Sequence, residues 1–313
     1  MTPFRKAALI YNPMSGPQPD CRAAQIEAAL AVLRGAGVEA SAIPTLAPGS
    51  AGAQAAEAVQ AGYDAVLACG GDGTVHEVLQ GMVHSPAALG VVPLGTANAL
   101  AADLGLPRGT DEAAKALLTS RAVNTAVGRI LYRQHSGSAG SRYFMVAAGI
   151  GPDAHLMYRL TAQRKRRWGY AAYLAEAAWI WATHRYPMFE IVTAGEGAAG
   201  RAERVSQLLA VRISNFGGVL RRLAPGAALA HNELRLVAFK TRSRVRYLRY
   251  VLAVLAGREP RVPHIELLDA VRVDCRLLMP ERRIHVEADG EALGALPATL
   301  EIVPDAVKLL MPE

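Results

Sequence analysis

The chain has 313 residues, 51% hydrophobic and 19% charged, which supports about two cored domains and excludes a wholly disordered chain. No apolar run approaches the ~18 residues of a membrane-spanning helix, and residues 7–11 are too short for a signal-peptide core, so a soluble, cytoplasmic protein is expected. Cys21, Cys69 and Cys275 stand far apart with no Cys-x-x-Cys pair, which argues against a disulfide framework or a zinc site and predicts reduced, mostly buried thiols.

The first 120 or so residues alternate short apolar runs with helical patterns, as in a layered βαβ domain. A strand is expected at 7–11, a helix at 21–34 stopped by Gly35 and Gly37, and a strand at 38–43. A helix near 52–60, a strand at 65–69, a helix at 74–83, a strand at 89–92 and a helix from about Asn98 follow. These crossovers imply mainly parallel strands.

Beyond about residue 123 the pattern becomes strand-like, at 142–148, 208–213, 234–239 and 271–278, interrupted by helical stretches near 155–184 and 243–256. The expectation is an α/β N-terminal domain with a mainly parallel sheet (1–125) and a larger, mainly antiparallel β-sandwich-like domain with helical insertions (126–300). Two final strand-like runs, 298–303 and 306–310, suggest that 301–313 returns to the first domain. Glycine, serine and alanine around 136–141 and 194–200 read as exposed loop tips.

Three glycine-rich turns follow predicted strands: Asn12-Pro13-Met14-Ser15-Gly16, Gly70-Gly71-Asp72-Gly73-Thr74 with Val75-His76-Glu77 after it, and Gly95-Thr96-Ala97-Asn98. Glycines let backbone N–H groups approach phosphate oxygens, and a helix N-terminus adds a favourable field for negative charge. One such turn is usually only a tight turn, but three at successive strand ends of a parallel sheet share the edge where open α/β sheets bind ligands. Neither the Walker phosphate-loop spacing nor Gly-x-Gly-x-x-Gly is present at these turns.

With these motifs in order, and with Ala148-Gly149-Ile150-Gly151-Pro152-Asp153-Ala154 and Asp289-Gly290-Glu291 later in the chain, the sequence resembles the diacylglycerol kinase catalytic family in its bacterial lipid-kinase branch. Gly-Gly-Asp-Gly alone is shared with NAD kinases and phosphofructokinases; the later Gly-Thr-x-Asn and Asp-Gly-Glu select the lipid branch. The resemblance implies a nucleotide cleft between the two domains. ATP would contact Asn12, Pro13, Ser15, Gly16, Thr45, Gly70, Gly71, Asp72, Gly73, Thr74, Glu77, Gly95, Thr96 and Asn98. It also implies Asp289 as general base, with Glu291 orienting it or a water, and Asp72 as a carboxylate near nucleotide-bound Mg²⁺.

Read without the resemblance, Asp289-Gly290 is first a hairpin turn, because Asp-Gly is a strong hairpin signal. The chain also departs from the family pattern. It has Asn98-Ala99 where Asn-Asp is frequent, His76 where Asn is, and Ala126 where an acid precedes Gly128. The stretch Ala230-His231-Asn232-Glu233-Leu234 lacks the paired acidic turn of the family's metal site, which puts a structural Mg²⁺ in doubt.

Lys plus Arg outnumber Asp plus Glu by 34 to 27, with the excess clustered. Residues 159–185 interleave six basic side chains and one acid with Trp168, Tyr170, Tyr173, Trp179 and Trp181, and residues 240–249 carry five basic side chains with Tyr247, followed by Tyr250. No nucleic-acid-binding signature flanks these clusters, whereas basic and aromatic residues together suit peripheral contact with an anionic membrane. The function expected is an ATP-dependent lipid kinase acting on a diacylglycerol-like or related lipid alcohol. Its alternatives are a degenerate lipid- or nucleotide-binding regulatory protein and a soluble kinase of the NAD-kinase type. Self-association is compatible with the sequence.

Overall fold

A computed structural model describes residues 2–16, 19–159, 175–194, 200, 202–217 and 223–312. The basic and aromatic run at 164–173 and most of the loop tip at 194–200 lie outside these residues. The chain divides into two compact units. The first holds Met1–Val127, Asn215–Gly218 and Val303–Glu313, and the second Gly128–Ser214 and Val219–Ile302.

In the first unit β1 (Lys6–Tyr11), β2 (Glu39–Pro44), β3 (Ala65–Gly70) and β4 (Ala88–Pro93) form a parallel sheet in the order β2-β1-β3-β4. Every residue of β3 and β4 is buried, as expected when helices cover both faces. On one face α1 (Arg22–Gly35) packs with α5 (Thr110–Leu118); on the other α2 (Ala51–Gln60) packs with α3 (Asp72–Met82). The helix expected from Asn98 is the short α4 (Ala99–Asp103), which ends before Gly105 at φ 68°.

The second unit contains β5 (Arg121–Arg133) from Gly128 onward, β6 (Ala139–Phe144), β7 (Ala147–Ile150), α6 (Pro152–Arg159) and a helix over 175–183, α7. Then come β8 (Phe189–Ala194), β9 (Ala202–Val205), β10 (Gln207–Val211), β11 (Leu234–Phe239), α8 (Arg244–Leu255), β12 (Ile265–Ala270), β13 (Arg272–Leu277) and β14 (His285–Ala288). The last strand, β15, runs Glu291–Met311. Strands β12-β11-β10-β7-β14-β15 pair antiparallel in that order, while β13 continues from β15 to β8 and β9. β15 turns the corner: residues 291–295 pair with β14 and 298–301 with β13. The sandwich core holds Phe144, Phe189, Leu208, Leu236, Val273 and Leu300, all buried.

Two element boundaries differ from expectation. The run at 142–148 is split into β6 and β7 at Met145 and Val146, whose N–H groups bond a carboxylate described below rather than a neighbouring strand. The two terminal runs form one strand, β15, whose end pairs parallel with β4 through Lys308 and Leu309. Cys69 and Cys275 are buried, whereas Cys21 is exposed just before α1.

Tyr247 and Tyr250, assigned from sequence to a membrane interface, are instead core residues of the second unit. Tyr247 stacks on Phe239 at 4.5 Å with its hydroxyl 2.8 Å from Ser206 Oγ, and the Tyr250 hydroxyl donates to Leu223 O at 2.5 Å. The side of α8 that faces outward carries Val245, Leu248, Leu252 and Leu255.

Candidate active site

Because β1 to β4 are parallel, the segments that follow them emerge at one edge of the first unit's sheet: residues 12–16, Thr45, residues 71–74 and residues 94–98. The first is closed by Asn12, whose Oδ1 accepts from Met14 N (2.9 Å) and whose carbonyl accepts from Ser15 N (3.1 Å) and Ser15 Oγ (3.0 Å). Pro13 sits inside this turn. Arg22, buried at the start of α1, ties it to the fourth segment: its Nη2 donates to Ser15 O and to Leu94 O (3.2 Å). Gly16 permits the approach, since its φ is 75° and a Cβ would lie 2.1 Å from Leu94 O. Thr45 is anchored by its N–H to Tyr11 O at 2.9 Å.

The second and fourth segments touch through their glycines. A Cβ on Gly95 would fall 2.4 Å from the Gly71 Cα, so neither loop tolerates a side chain on that face. Thr74 is buried and fills the space beside Gly70. Asp72 joins the loops: its Oδ2 accepts from Asn98 N (3.0 Å) and its Oδ1 from Ala99 N (2.7 Å). Asn98, held at φ 51°, closes its own turn by accepting from Gly95 N and donating to Gly95 O, both at 2.9 Å. Gly71 precedes α3, and the first N–H groups of a helix, which include that of Gly73, have no acceptor within the helix. Thr96 is exposed at the tip of its turn.

These residues therefore form one backbone-donor edge with a helix N-terminus in it, suited to phosphate oxygens. Glu77 stands differently. Its carboxylate accepts from Gly49 N (2.9 Å) and Ala51 N (3.3 Å) and so caps α2.

In the second unit Asp289 and Gly290 connect β14 to β15 with φ values of 49° and 81°, the positive pair that a tight hairpin turn requires. The turn presents a carboxylate that is fixed in place. Asp289 Oδ1 accepts from Val146 N (2.9 Å) and Ala147 N (3.1 Å), and Oδ2 from Met145 N (3.1 Å), while its own N–H donates to Ala147 O (2.8 Å). The hairpin expected from Asp-Gly is thus present, with its carboxylate held by backbone N–H groups. Glu291 opens β15 and is exposed.

Beneath this turn lies a buried acid that the sequence reading did not single out. The register of β14 against β15 shifts at Val286 and Glu287, and Glu287 accepts from Gly290 N at 2.8 Å. Its carboxyl converges with that of Asp153 over Gly149, where a Cβ would lie 1.7 Å from Asp153 Oδ2 and 2.8 Å from Glu287 Oε1. Burial raises the pKa of both groups, and for Glu287 the neighbouring Asp153 adds to it. The pair retains a proton at pH values where isolated carboxyls have lost theirs. A lone acid in an apolar strand two residues before Asp-Gly was the available signal; nothing comparable marked Arg22.

The sign of this shift gives a test. Raised pKa values mean that the folded state binds more protons than the unfolded chain, so the pair's contribution to stability is complete below about pH 4 and declines as pH rises through the folded values. Glu287→Gln removes the titration of Glu287 itself and keeps an acceptor for Gly290 N. It is expected to raise stability by about 1–3 kcal/mol at pH 8 and by little at pH 5. Parallel melting-temperature profiles for wild type and variant over that range would contradict the shared proton.

The family model of the diacylglycerol kinase catalytic domain matches residues 6–130, and that of the YegS C-terminal NAD kinase beta sandwich-like domain matches residues 145–311. The chain belongs to the family that joins these two domains. It is similar to the diacylglycerol kinase of Bacillus subtilis (strain 168), 28% identical over 312 residues that cover 99% of this chain and 97% of the relative. It is also similar to the diacylglycerol kinase of Staphylococcus aureus (strain bovine RF122 / ET3-1), 26% identical over 297 residues that cover 94% and 88%. In fold it resembles a crystal structure of a diacylglycerol kinase from Bacillus anthracis str. Sterne, with TM-score 0.75, 19% identity and coverage of 99% and 98%. A more distant fold likeness is yeast NADH kinase complexed with NADH, with TM-score 0.54, 12% identity and coverage of 100% and 85%.

The donor sets give Mg²⁺ no all-protein site among the described residues. Carbonyls of residues 229–233, which overlap the 230–234 stretch that lacks the family's acidic turn, converge on Arg212. Fully buried, it donates from Nη1 to His231 O (2.6 Å) and Glu233 O (2.7 Å), and from Nη2 to Leu229 O (3.0 Å). Desolvation lowers its pKa to about 10, so it remains a cation at neutral pH.

Proposed function

We propose that the protein transfers the γ-phosphoryl group of ATP to the hydroxyl of a membrane lipid of the diacylglycerol type. The observation that carries this reading is the joining of three glycine-rich turns into one donor edge by Arg22, Asp72 and Asn98. Phosphoryl transfer depends on positioning and charge stabilisation more than on covalent catalysis, and such an edge supplies both. Residues 12–16, Thr45, 70–74 and 95–98 hold the nucleotide in this reading. Asp72 braces the two loops through the two backbone N–H groups that its oxygens accept.

Asp289 takes the proton of the lipid hydroxyl as that oxygen attacks the γ-phosphorus, and the products are ADP and a phosphomonoester. Its three backbone donors fix the carboxylate's direction, which is what a general base at a hairpin tip needs. Mg²⁺ held on the nucleotide phosphates would supply charge neutralisation at this edge. No helix among the described residues is long and apolar enough to cross a membrane.

The test is transfer of labelled γ-phosphate from ATP to a panel of lipid alcohols in mixed micelles, with soluble NAD as the competing acceptor. A labelled lipid is expected. Labelled NADP instead would move the assignment to a soluble nucleotide kinase, and no product from folded protein would leave a binding protein.

A further inference from the structure

The second unit contains a basic cavity of about 290 Å³ whose lining includes neither Asp289 nor the backbone that holds it. Arg159, Arg185, Arg282, Arg283, His155 and His184 contribute to its wall, and no acid does among the described residues. Arg159 is paired with Glu176. Among the described residues Arg185, Arg282 and Arg283 have no ion pair, and Glu281, next to Arg282 in sequence, lines a neighbouring cavity. Guanidinium groups gathered without matching carboxylates repel one another, and an anion held among them reverses that repulsion.

The histidines add directed donors. His184 Nδ1 accepts from Tyr186 N at 3.1 Å, so the proton of its neutral ring is on Nε2. Burial and the nearby His155 and His285 lower its pKa to about 4, which keeps that ring neutral at physiological pH. Planar guanidinium forks with an imidazole N–H match the oxygens of a phosphate better than a single carboxylate does.

The cavity also adjoins apolar surface. Trp179 lines it and is 57% exposed, while Trp181, on the same helix α7, donates from Nε1 to Arg244 O at 2.9 Å. Arg244 begins α8, whose exposed apolar side chains include Val245, Leu248, Leu252 and Leu255. An anion pocket with tryptophan and an apolar stripe beside it has the arrangement of an interfacial site.

We propose that this cavity, lined by none of the glycine-rich loop residues and not by Asp289, is a phosphate-binding subsite that takes the phosphate group of a phospholipid head group or of a soluble phosphate ester. It deepens the membrane part of the proposed function, and it is read by binding rather than by turnover, so that it stands or fails independently of the transfer reaction.

The test compares full-length wild type, Arg282→Gln with Arg283→Gln, Arg185→Gln, and the surface control Lys115→Gln. Sedimentation with phosphatidylcholine vesicles containing phosphatidylglycerol, or oleate at equal surface charge, is the first arm; titration with inorganic phosphate and glycerol phosphate is the second. The expected result is saturable binding to phosphatidylglycerol vesicles. It should weaken about tenfold for Arg185→Gln and more for the double variant, with Lys115→Gln unchanged and oleate bound more weakly. Binding of soluble phosphate esters with the same variant order, without vesicle binding, supports the subsite and assigns a soluble source. Equal binding of oleate and phosphatidylglycerol, or pocket variants that bind as wild type does in both arms, would overturn the proposal.

Discussion

Asp289→Asn is expected to lower the turnover number for lipid phosphorylation by about 10²–10⁴-fold, the range a positioned general base contributes. Asparagine is the informative replacement because Asp289 has φ 49°, a conformation that asparagine accepts and alanine resists. The amide oxygen can keep the two bonds from Val146 and Ala147, while the amide nitrogen faces Met145 N–H, donor against donor. That mismatch costs about 1–3 kcal/mol of stability. A variant that is modestly less stable yet retains wild-type turnover would remove Asp289 from the chemistry and leave it as a turn residue.

Asp72→Ala is expected to act on the nucleotide edge. Removing the carboxylate releases Asn98 N and Ala99 N together and frees the turn that Asn98 holds at positive φ. Displacing a phosphate-contacting loop by about 1 Å is enough to lower rates ~10²-fold, so the KM for ATP should rise by roughly tenfold or more and turnover should fall. Loss of two hydrogen bonds to a charged acceptor predicts about 2–4 kcal/mol lower stability of the first unit. Steady-state kinetics with ATP varied at saturating lipid separates the two effects. An unchanged KM for ATP would mean that the two glycine loops do not depend on this brace.

Much of the glycine-rich donor edge was legible in the sequence because it is built from backbone. Glycines at 16, 71 and 95 are needed where main chains approach, and each follows a short apolar strand that the periodicity marks. What holds the turns together was less visible. Arg22 lies in a helix whose pattern shows only an amphipathic face, and its bonds reach residues 7 and 72 positions away. Glu77 sits in the glycine-rich segment yet caps α2, a partner that sequence proximity does not suggest.

In the second unit Asp289 was found through its motif, and its anchoring by Met145 to Ala147 depends on a strand break set 142–144 residues earlier in the chain. Tyr247 and Tyr250 show the opposite error, since arginines beside aromatics look interfacial whether the rings point outward or inward. A helix with residues at 3.6 per turn has two such faces, and packing against Phe239 decided which one was covered.

The sequence alone determined the succession of β1 to β4 with α1 to α3 along the chain, the glycine-rich turns after those strands, and the acid at the hairpin tip, because these depend on local conformation and short spacings. Only the tertiary structure decided that Asp72 braces two loops, that Glu287 and Asp153 share one buried site, and that Arg212 supplies the charge at 229–233. Each of these depends on groups distant in sequence meeting where water is excluded, and the energy of a buried charge is set by what surrounds it rather than by its neighbours along the chain.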